Sequence, residues 1–194
     1  MSDAHNAILE PLINETDLHA GISQLVDRIA DDFDGDELYV IGLLRGSFMF
    51  TADLVRLLYR RDVRLVIDFM TVASYGSGTE SSGEVNMMRD VHLDLTDKPV
   101  LLVDDILDTG RTLSFASQHL SEFKLASLKT CVFLDKPSRR VVPFEADYVG
   151  FTVPDLFVVG YGLDFDGRYR ELPHLSVIQT PRSTGSDHPD HTPP

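Results

Sequence analysis

A chain of 194 residues with 43% apolar side chains is long enough for one domain with a full core, and its composition is neither disulfide-stapled nor natively disordered. The formal charge of -14 argues against a broad basic footprint for nucleic acid, whose phosphate backbone is held by Lys and Arg. Cys131 is alone, which excludes an intramolecular disulfide or a cysteine zinc cluster, and neither a leader-like N-terminus nor an apolar run of about 18 residues occurs, so a cytoplasmic protein without a membrane segment is expected.

Residues 1–16 carry little pattern. From Asp17, a plausible N-cap, Leu18, Ile22, Leu25, Val26, Ile29 and Phe33 recur at helical spacing and predict one buried helix face. The acidic run Asp31 to Glu37, with Gly35, ends that helix in a solvated turn. Next, LYVIGLLRGSFMF reads as an apolar strand, Leu38 to Leu43, that runs into Arg45 and Gly46 and then into a helix buried through Phe48, Ala52, Val55 and Tyr59. Val63 to Ser74 reads as a long strand. Tyr75 to Glu84 holds three glycines and four Ser or Thr residues, too polar for a core element, and is expected to be a lid or a plain hairpin loop. Met87 to Leu93 would be its returning strand.

The stretch VLLVDDILDTGRTL follows Pro99. Val100 to Val103 form an apolar, buried-type strand, expected to end at Asp104 and Asp105; Asp108, Thr109 and Gly110 make a turn, and a helix begins at Arg111. Carboxylates and a glycine turn delivered to a helix start build a site where unpaired backbone N–H groups can hold an anion. Leu113, Ala116, Leu120 and Phe123 mark the helix's buried face. Ala126 to Leu134 is a further strand ending at Asp135, Lys136 and Pro137, followed by a basic turn with Arg139 and Arg140 and by strands at Tyr148 to Phe151, Leu156 to Gly160 and Leu175 to Ile178. From Pro181 the tail has no apolar face and is expected to be disordered, with His188 and His191 solvated. Alternating strands and helices predict an α/β fold, a mostly parallel central sheet flanked by helices, with ligands at the carboxyl ends of its strands.

Two readings of the acidic turn fit poorly. Asp108-Thr109-Gly110 matches an aspartic-protease turn, but a single copy beside two further carboxylates on an α/β scaffold does not make a shared-proton dyad. A phospho-receiver domain needs its aspartate and its lysine on different strands, whereas Asp135 and Lys136 are adjacent.

The pattern of two acidic residues after an apolar strand, two apolar residues, then Asp-Thr-Gly, a basic residue and Thr resembles the 5-phosphoribosyl-1-pyrophosphate (PRPP) motif of the type I phosphoribosyltransferases. The hypoxanthine-guanine branch is the nearest. LLRGSFMF is similar to its pyrophosphate loop, Ser74 to Gly76 to the start of its flexible lid, LDKP to its purine-contacting lysine segment, and PDLFVVGYGLDFDGRYREL to its base-binding strand and loop. The resemblance runs from about Leu38 to Ile178.

It implies the type I phosphoribosyltransferase fold as a single domain over residues 1–180, with a small hood subdomain from the N- and C-terminal segments and a flexible lid hairpin at about 74–86. It implies transfer of the phosphoribosyl group of PRPP to hypoxanthine or guanine, in purine salvage. Thr109, Gly110, Arg111 and Thr112 would cradle the 5′-phosphate, with Arg111 either adding charge or facing solvent. Asp104 and Asp105 would take the ribose hydroxyls and Mg²⁺, and Asp108 would be the general base, a helix-cap role being compatible with it. Arg45, Gly46 and Arg170 would bind pyrophosphate, with the Leu44–Arg45 peptide cis, and Ser74 and Tyr75 would close over the reactants. Lys136 would select a 6-oxo group, Phe157 would stack on the purine, and the Val158 backbone would meet its pyrimidine edge. Asp164 would sit near Mg²⁺ and pyrophosphate through water, or near a guanine amino group. A homodimer or homotetramer is expected, without nucleic-acid or membrane partners; a phosphoribosyltransferase-fold regulator that binds nucleic acid is the competing class.

Overall fold

The computed structural model describes residues 8–33, 35, 37–74 and 85–179. The lid residues 75–84 with Tyr75, and the tail 181–194 with His188 and His191, lie outside the described residues. In chain order the elements are β1 (Ile8–Ile13), α1 (Glu15–Asp32), β2 (Glu37–Leu44), α2 (Phe48–Tyr59), β3 (Arg64–Ser74), β4 (Val85–Arg89), β5 (Pro99–Leu107), α3 (Arg111–Ser121), β6 (Ser127–Asp135), β7 (Tyr148–Thr152), β8 (Val158–Val159) and β9 (Leu175–Gln179).

Six strands form one sheet in the order β4-β3-β2-β5-β6-β7, parallel except where β4 returns along β3. The predicted α/β class and mostly parallel sheet are therefore present. A second, antiparallel sheet in the order β1-β9-β8 joins the two ends of the described chain and makes the small hood. Period-2 alternation on the buried strands divides the core. Leu38 and Val40 of β2 and Leu101 and Val103 of β5 face α1 and α2. Tyr39, Ile41 and Leu43 with Val100 and Leu102 face α3.

Several local expectations are corrected. Residues 1–16 are not featureless, because Ile8–Ile13 is a strand; Pro11 sits at a break in its register with β9, which erased the alternation a strand would show. The N-cap of α1 is Asn14 rather than Asp17: the Asn14 side chain accepts from the Asp17 N–H at 2.9 Å, and Asp17 returns a carboxylate to the Asn14 amide at 2.7 Å. Helix α2 is apolar on two sides, and the buried one is Phe50, Thr51, Leu54 and Leu58, leaving Phe48 and Tyr59 exposed. Strand β4 stops at Arg89 instead of Leu93, and the strand expected at Leu156 to Gly160 shrinks to Val158–Val159.

Phe133 is fully buried where these layers meet. Its ring lies 5.3 Å from Phe50 of α2, 5.8 Å from Phe151 of β7 and 5.0 Å from Tyr161, centroid to centroid. Removing its ring takes away all three contacts at once. Phe133→Ala is expected to destabilise the chain by about 3–5 kcal/mol in urea denaturation.

Candidate active site

The site begins where the central sheet splits. Strand β2 pairs with β3 as far as Leu44, but with β5 only through Gly42↔Val103. Beyond that point β2 leads to α2 on one face and β5 leads to α3 on the other, a topological switch point of the kind where open α/β sheets bind ligands. Strand β5 does not stop at the carboxylates as expected. It continues to Leu107 by pairing with β6, so Asp104 and Asp105 stand inside the strand, at the mouth of the gap.

A cleft of about 380 Å³ opens there, lined by residues from the ends of β2 and β5 and by the whole turn Asp108 to Leu113. Among the expected residues it brings together Arg45, Gly46, Asp104, Asp105, Asp108, Thr109, Gly110, Arg111 and Thr112. The Leu44–Arg45 peptide is cis, as the resemblance implies. Gly46 lies against Asp105 so closely that a Cβ there would run into the carboxylate. At the other wall Gly110, with φ +85°, is the N-cap of α3. A Cβ on Gly110 would stand 2.6 Å from the Val142 carbonyl, so glycine is required twice over. No side chain caps α3 and its first turn holds no acidic residue. The orphan N–H groups of that turn are thus left for an external anion.

The turn is held from behind. Arg140 donates to the Leu107 carbonyl at 3.0 Å, to the Asp108 carbonyl and to the Asp135 carboxylate. The N–H groups of Val141 and Val142 donate to the Thr109 carbonyl at 3.0 and 2.9 Å. Neither arginine of the basic turn was given a role from sequence. The signal that could have found Arg140 is its place three residues after the LDKP segment.

A second cleft of about 300 Å³ adjoins the first and shares Asp105, Ile106, Asp108 and Arg139 with it. Its other walls are Lys136, Asp155, Leu156, Phe157, Val158, Leu163 and Asp164. Lys136 is 7% exposed, and its Nζ donates to the Leu156 carbonyl at 2.6 Å. Burial pulls its ammonium below the usual lysine range, against the opposing charges of Asp108 and Asp155. Phe157 is no core residue: it is 54% exposed, meets Phe165 in a T-shaped contact at 5.4 Å and lines the cleft. Val158 is buried in β8, paired with Val177.

Arg170 lies outside the lining of both clefts. Its guanidinium donates to the Gly162 carbonyl at 2.6 Å and pairs with Asp164 at 2.5 Å, while its charge reaches Asp105. Asp164 also accepts from the Gly167 N–H at 2.8 Å. Ser74 ends β3, and of its side chain nothing is described.

Burial, and then the neighbouring Asp105 carboxylate, push the Asp104 carboxyl well above the ordinary carboxylate range. Burial raises Asp105 too, although backbone N–H groups and Arg170 oppose it. Two crowded, desolvated carboxylates are a donor set that a hard dication relieves. No cluster of three metal-binding side chains exists among the described residues. Mg²⁺ takes one or two carboxylates and completes its shell with water and substrate phosphates, and Asp104 and Asp105 could supply those carboxylates.

Residues 14–166 match the Phosphoribosyl transferase domain family. The hypoxanthine-guanine phosphoribosyltransferase of Aquifex aeolicus (strain VF5) is 44% identical over 180 residues, 92% of this chain and 99% of that protein. The bifunctional protein TilS/HprT of Listeria monocytogenes serotype 4b (strain F2365) is 43% identical over 175 residues, 90% of this chain, and the chain spans 26% of that longer protein. The crystal structure of a hypoxanthine phosphoribosyltransferase from Staphylococcus aureus superposes with a TM-score of 0.83 at 42% identity, over 92% of this chain and 95% of that one. Among the described residues, no helix is long and apolar enough to cross a membrane.

The contact between Gly46 and Asp105 is testable without catalysis. Gly46→Ala must displace the carboxylate, and by calorimetry it is expected to weaken binding of inorganic pyrophosphate with Mg²⁺ by about tenfold or more, the equivalent of about 1.4 kcal/mol. Unchanged affinity would show that the close approach has no bearing on this ligand.

Proposed function

The chain belongs to the phosphoribosyl transferase family, and from that premise we infer that it is a hypoxanthine-guanine phosphoribosyltransferase of purine salvage, converting PRPP and hypoxanthine or guanine into IMP or GMP and pyrophosphate. One observation carries the reading most of the way. An uncapped helix start with the buried Asp104 and half-buried Asp105 adjoins a pocket holding a buried lysine and an exposed phenylalanine, and the two share Asp108.

Each residue then has a task set by its chemistry. The first-turn N–H groups of α3, with the Thr109 and Thr112 hydroxyls and Arg111, hold the 5′-phosphate. Asp104 and Asp105 accept the ribose hydroxyls and, with Asp164 through water, would hold Mg²⁺. When bound, Mg²⁺ offsets the charge of departing pyrophosphate, which is Lewis-acid assistance. Arg45, the Gly46 N–H and Arg170 receive the same pyrophosphate. Ser74 and Tyr75 close over the reactants, keeping water from the ribosyl centre.

The purine stacks on Phe157, with the Val158 backbone along its pyrimidine edge. As the purine nitrogen bonds to C1 of the ribose and the C1–pyrophosphate bond breaks, the proton on the purine passes to the Asp108 carboxylate. Lys136 can only donate, so it suits the 6-oxo group of hypoxanthine or guanine and opposes the 6-amino group of adenine. A cytoplasmic homodimer or homotetramer completes the proposal.

Purified protein supplied with PRPP and Mg²⁺ is expected to release pyrophosphate with hypoxanthine and guanine, and at least about 100-fold more slowly with adenine. No release with any purine would sink the enzymatic reading. Asp108→Asn is expected to lower kcat by about 10²- to 10⁴-fold with the KM for PRPP within about threefold of the original, as removal of a general base requires. For Lys136→Ala the expected loss is in discrimination between 6-oxo and 6-amino purines, read from the ratio of their kcat/KM values; an unchanged ratio removes its assigned role.

A further inference from the structure

Arg139 has no part in the assignments above, yet it lines both clefts. Its Nε donates to Asp108 Oδ1 at 3.0 Å and lies 3.7 Å from Asp155 Oδ1. These carboxylates belong to separate parts of the site: Asp108 to the phosphate-binding turn, Asp155 to the loop that carries Phe157. Among the described residues Arg139 is the one cation that lines both clefts; Arg45 and Arg111 line the first alone and Lys136 the second alone.

Its position follows from the local backbone. Pro137–Arg139 is a single 3-10 turn that starts from Lys136, and the Arg139 N–H donates to the Lys136 carbonyl at 3.0 Å. One short turn therefore fixes the spacing between the lysine in the purine pocket and the guanidinium on Asp108. The next residue, Arg140, is bound to Asp135 and to the carbonyls of Leu107 and Asp108, so the turn is anchored to the same strand end that it serves. The Arg139 side chain itself is 47% exposed. A pair so accessible to water contributes little to stability, which leaves orientation as the effect the contact can have.

We propose that Arg139 is a positioning residue for the reaction, clamping the Asp108 carboxylate by Oδ1 and tying it through Asp155 to the purine-binding loop. This rests on the reading of Asp108 as the general base. With Oδ1 held, the carboxylate cannot rotate freely, and Oδ2 is the oxygen that takes the purine's proton. A guanidinium suits the task because it donates in a fixed fork and does not surrender a proton of its own, so it never competes with the purine as an acid. The bond to Asp108 and the charges of both carboxylates also hold the Arg139 guanidinium above its usual range, so it remains a cation throughout.

The test is a double-mutant cycle in the whole protein, with steady-state kinetics on hypoxanthine and PRPP and thermal unfolding of every variant. Arg139→Ala is expected to lower kcat about 10- to 100-fold, the scale of a misplaced reacting group, with the KM for PRPP unchanged within about twofold. Arg139→Lys should recover most of that loss. Asp155→Asn should raise the KM for hypoxanthine about threefold, the scale of one exposed ion pair. The decisive variant is Asp108→Asn/Arg139→Ala, expected to turn over no more slowly than Asp108→Asn alone, because a positioning residue has nothing left to position. Additive losses would overturn the proposal while leaving Asp108 as the base. Wild-type turnover in Asp108→Asn would overturn the base assignment, and the clamp with it. Should Arg139→Ala not fold, Arg139→Gln runs the same cycle.

Discussion

Two carboxylates on consecutive residues of a buried central strand are the constraint to which the rest of the site responds. Desolvation of a charge costs several kcal/mol even after relaxation, and a like charge beside it adds to that cost. Asp104 is 5% exposed and receives within the protein one backbone hydrogen bond, from the Asp105 N–H at 2.9 Å. Such a pair is tolerated when one carboxyl keeps its proton or when a cation or hydroxyl group compensates the charge. The strand that carries them is held in place nonetheless, because β5 keeps its pairing with β6 through Ile106↔Leu134 and Leu107↔Asp135 after β2 has diverged.

That divergence explains the glycines. Gly46 gives Asp105 room on one side, and its carbonyl is in turn approached by Gly162, at φ +100°, where a Cβ would run into it. The loop after β2 therefore meets the 160s loop backbone to backbone, and its other side lies directly against the Asp105 carboxylate. Tyr161, next to Gly162, donates its hydroxyl to Asp53 of α2 and packs its ring on Phe133. Loss of its proton is opposed by burial and by the Asp53 charge, so this tie persists across the physiological range.

Much of this was legible in the sequence because it rests on local chemistry. The apolar runs at Leu38 to Leu43 and Val100 to Val103 could only be buried strands, and the polar break after each could only lie at a strand's mouth. Tertiary pairing decided the rest. Nothing local marks Ile8–Ile13 as a strand, since its edge is completed by β9 from the far end of the chain and Pro11 breaks the pattern. Helix α2 offers two apolar stripes, and only the neighbouring α1 and β5 settle that Leu54 and Leu58 go inward. Phe157 reads as core by composition, yet it is exposed because β8 is two residues long and ends the small sheet. Arg139 was visible only as charge, and its contact with Asp108 spans 31 positions that sequence spacing does not connect.

The hood is more than a cover for the parallel sheet. Its strand β8 supplies Val158 to the second cleft, the residue before it supplies Phe157, and the following loop supplies Leu163 and Asp164. The same loop touches Gly46 through Gly162 and reaches Asp105 through the charge of Arg170. A shift of the wall around Phe157 must therefore be felt at Gly46 and Asp105, since packed interiors transmit displacement instead of absorbing it. A transferase that must exclude water gains from such a link. In the proposed roles, the wall facing the base and the loop facing the leaving group can settle together around carboxylates whose crowding a bound cation would relieve.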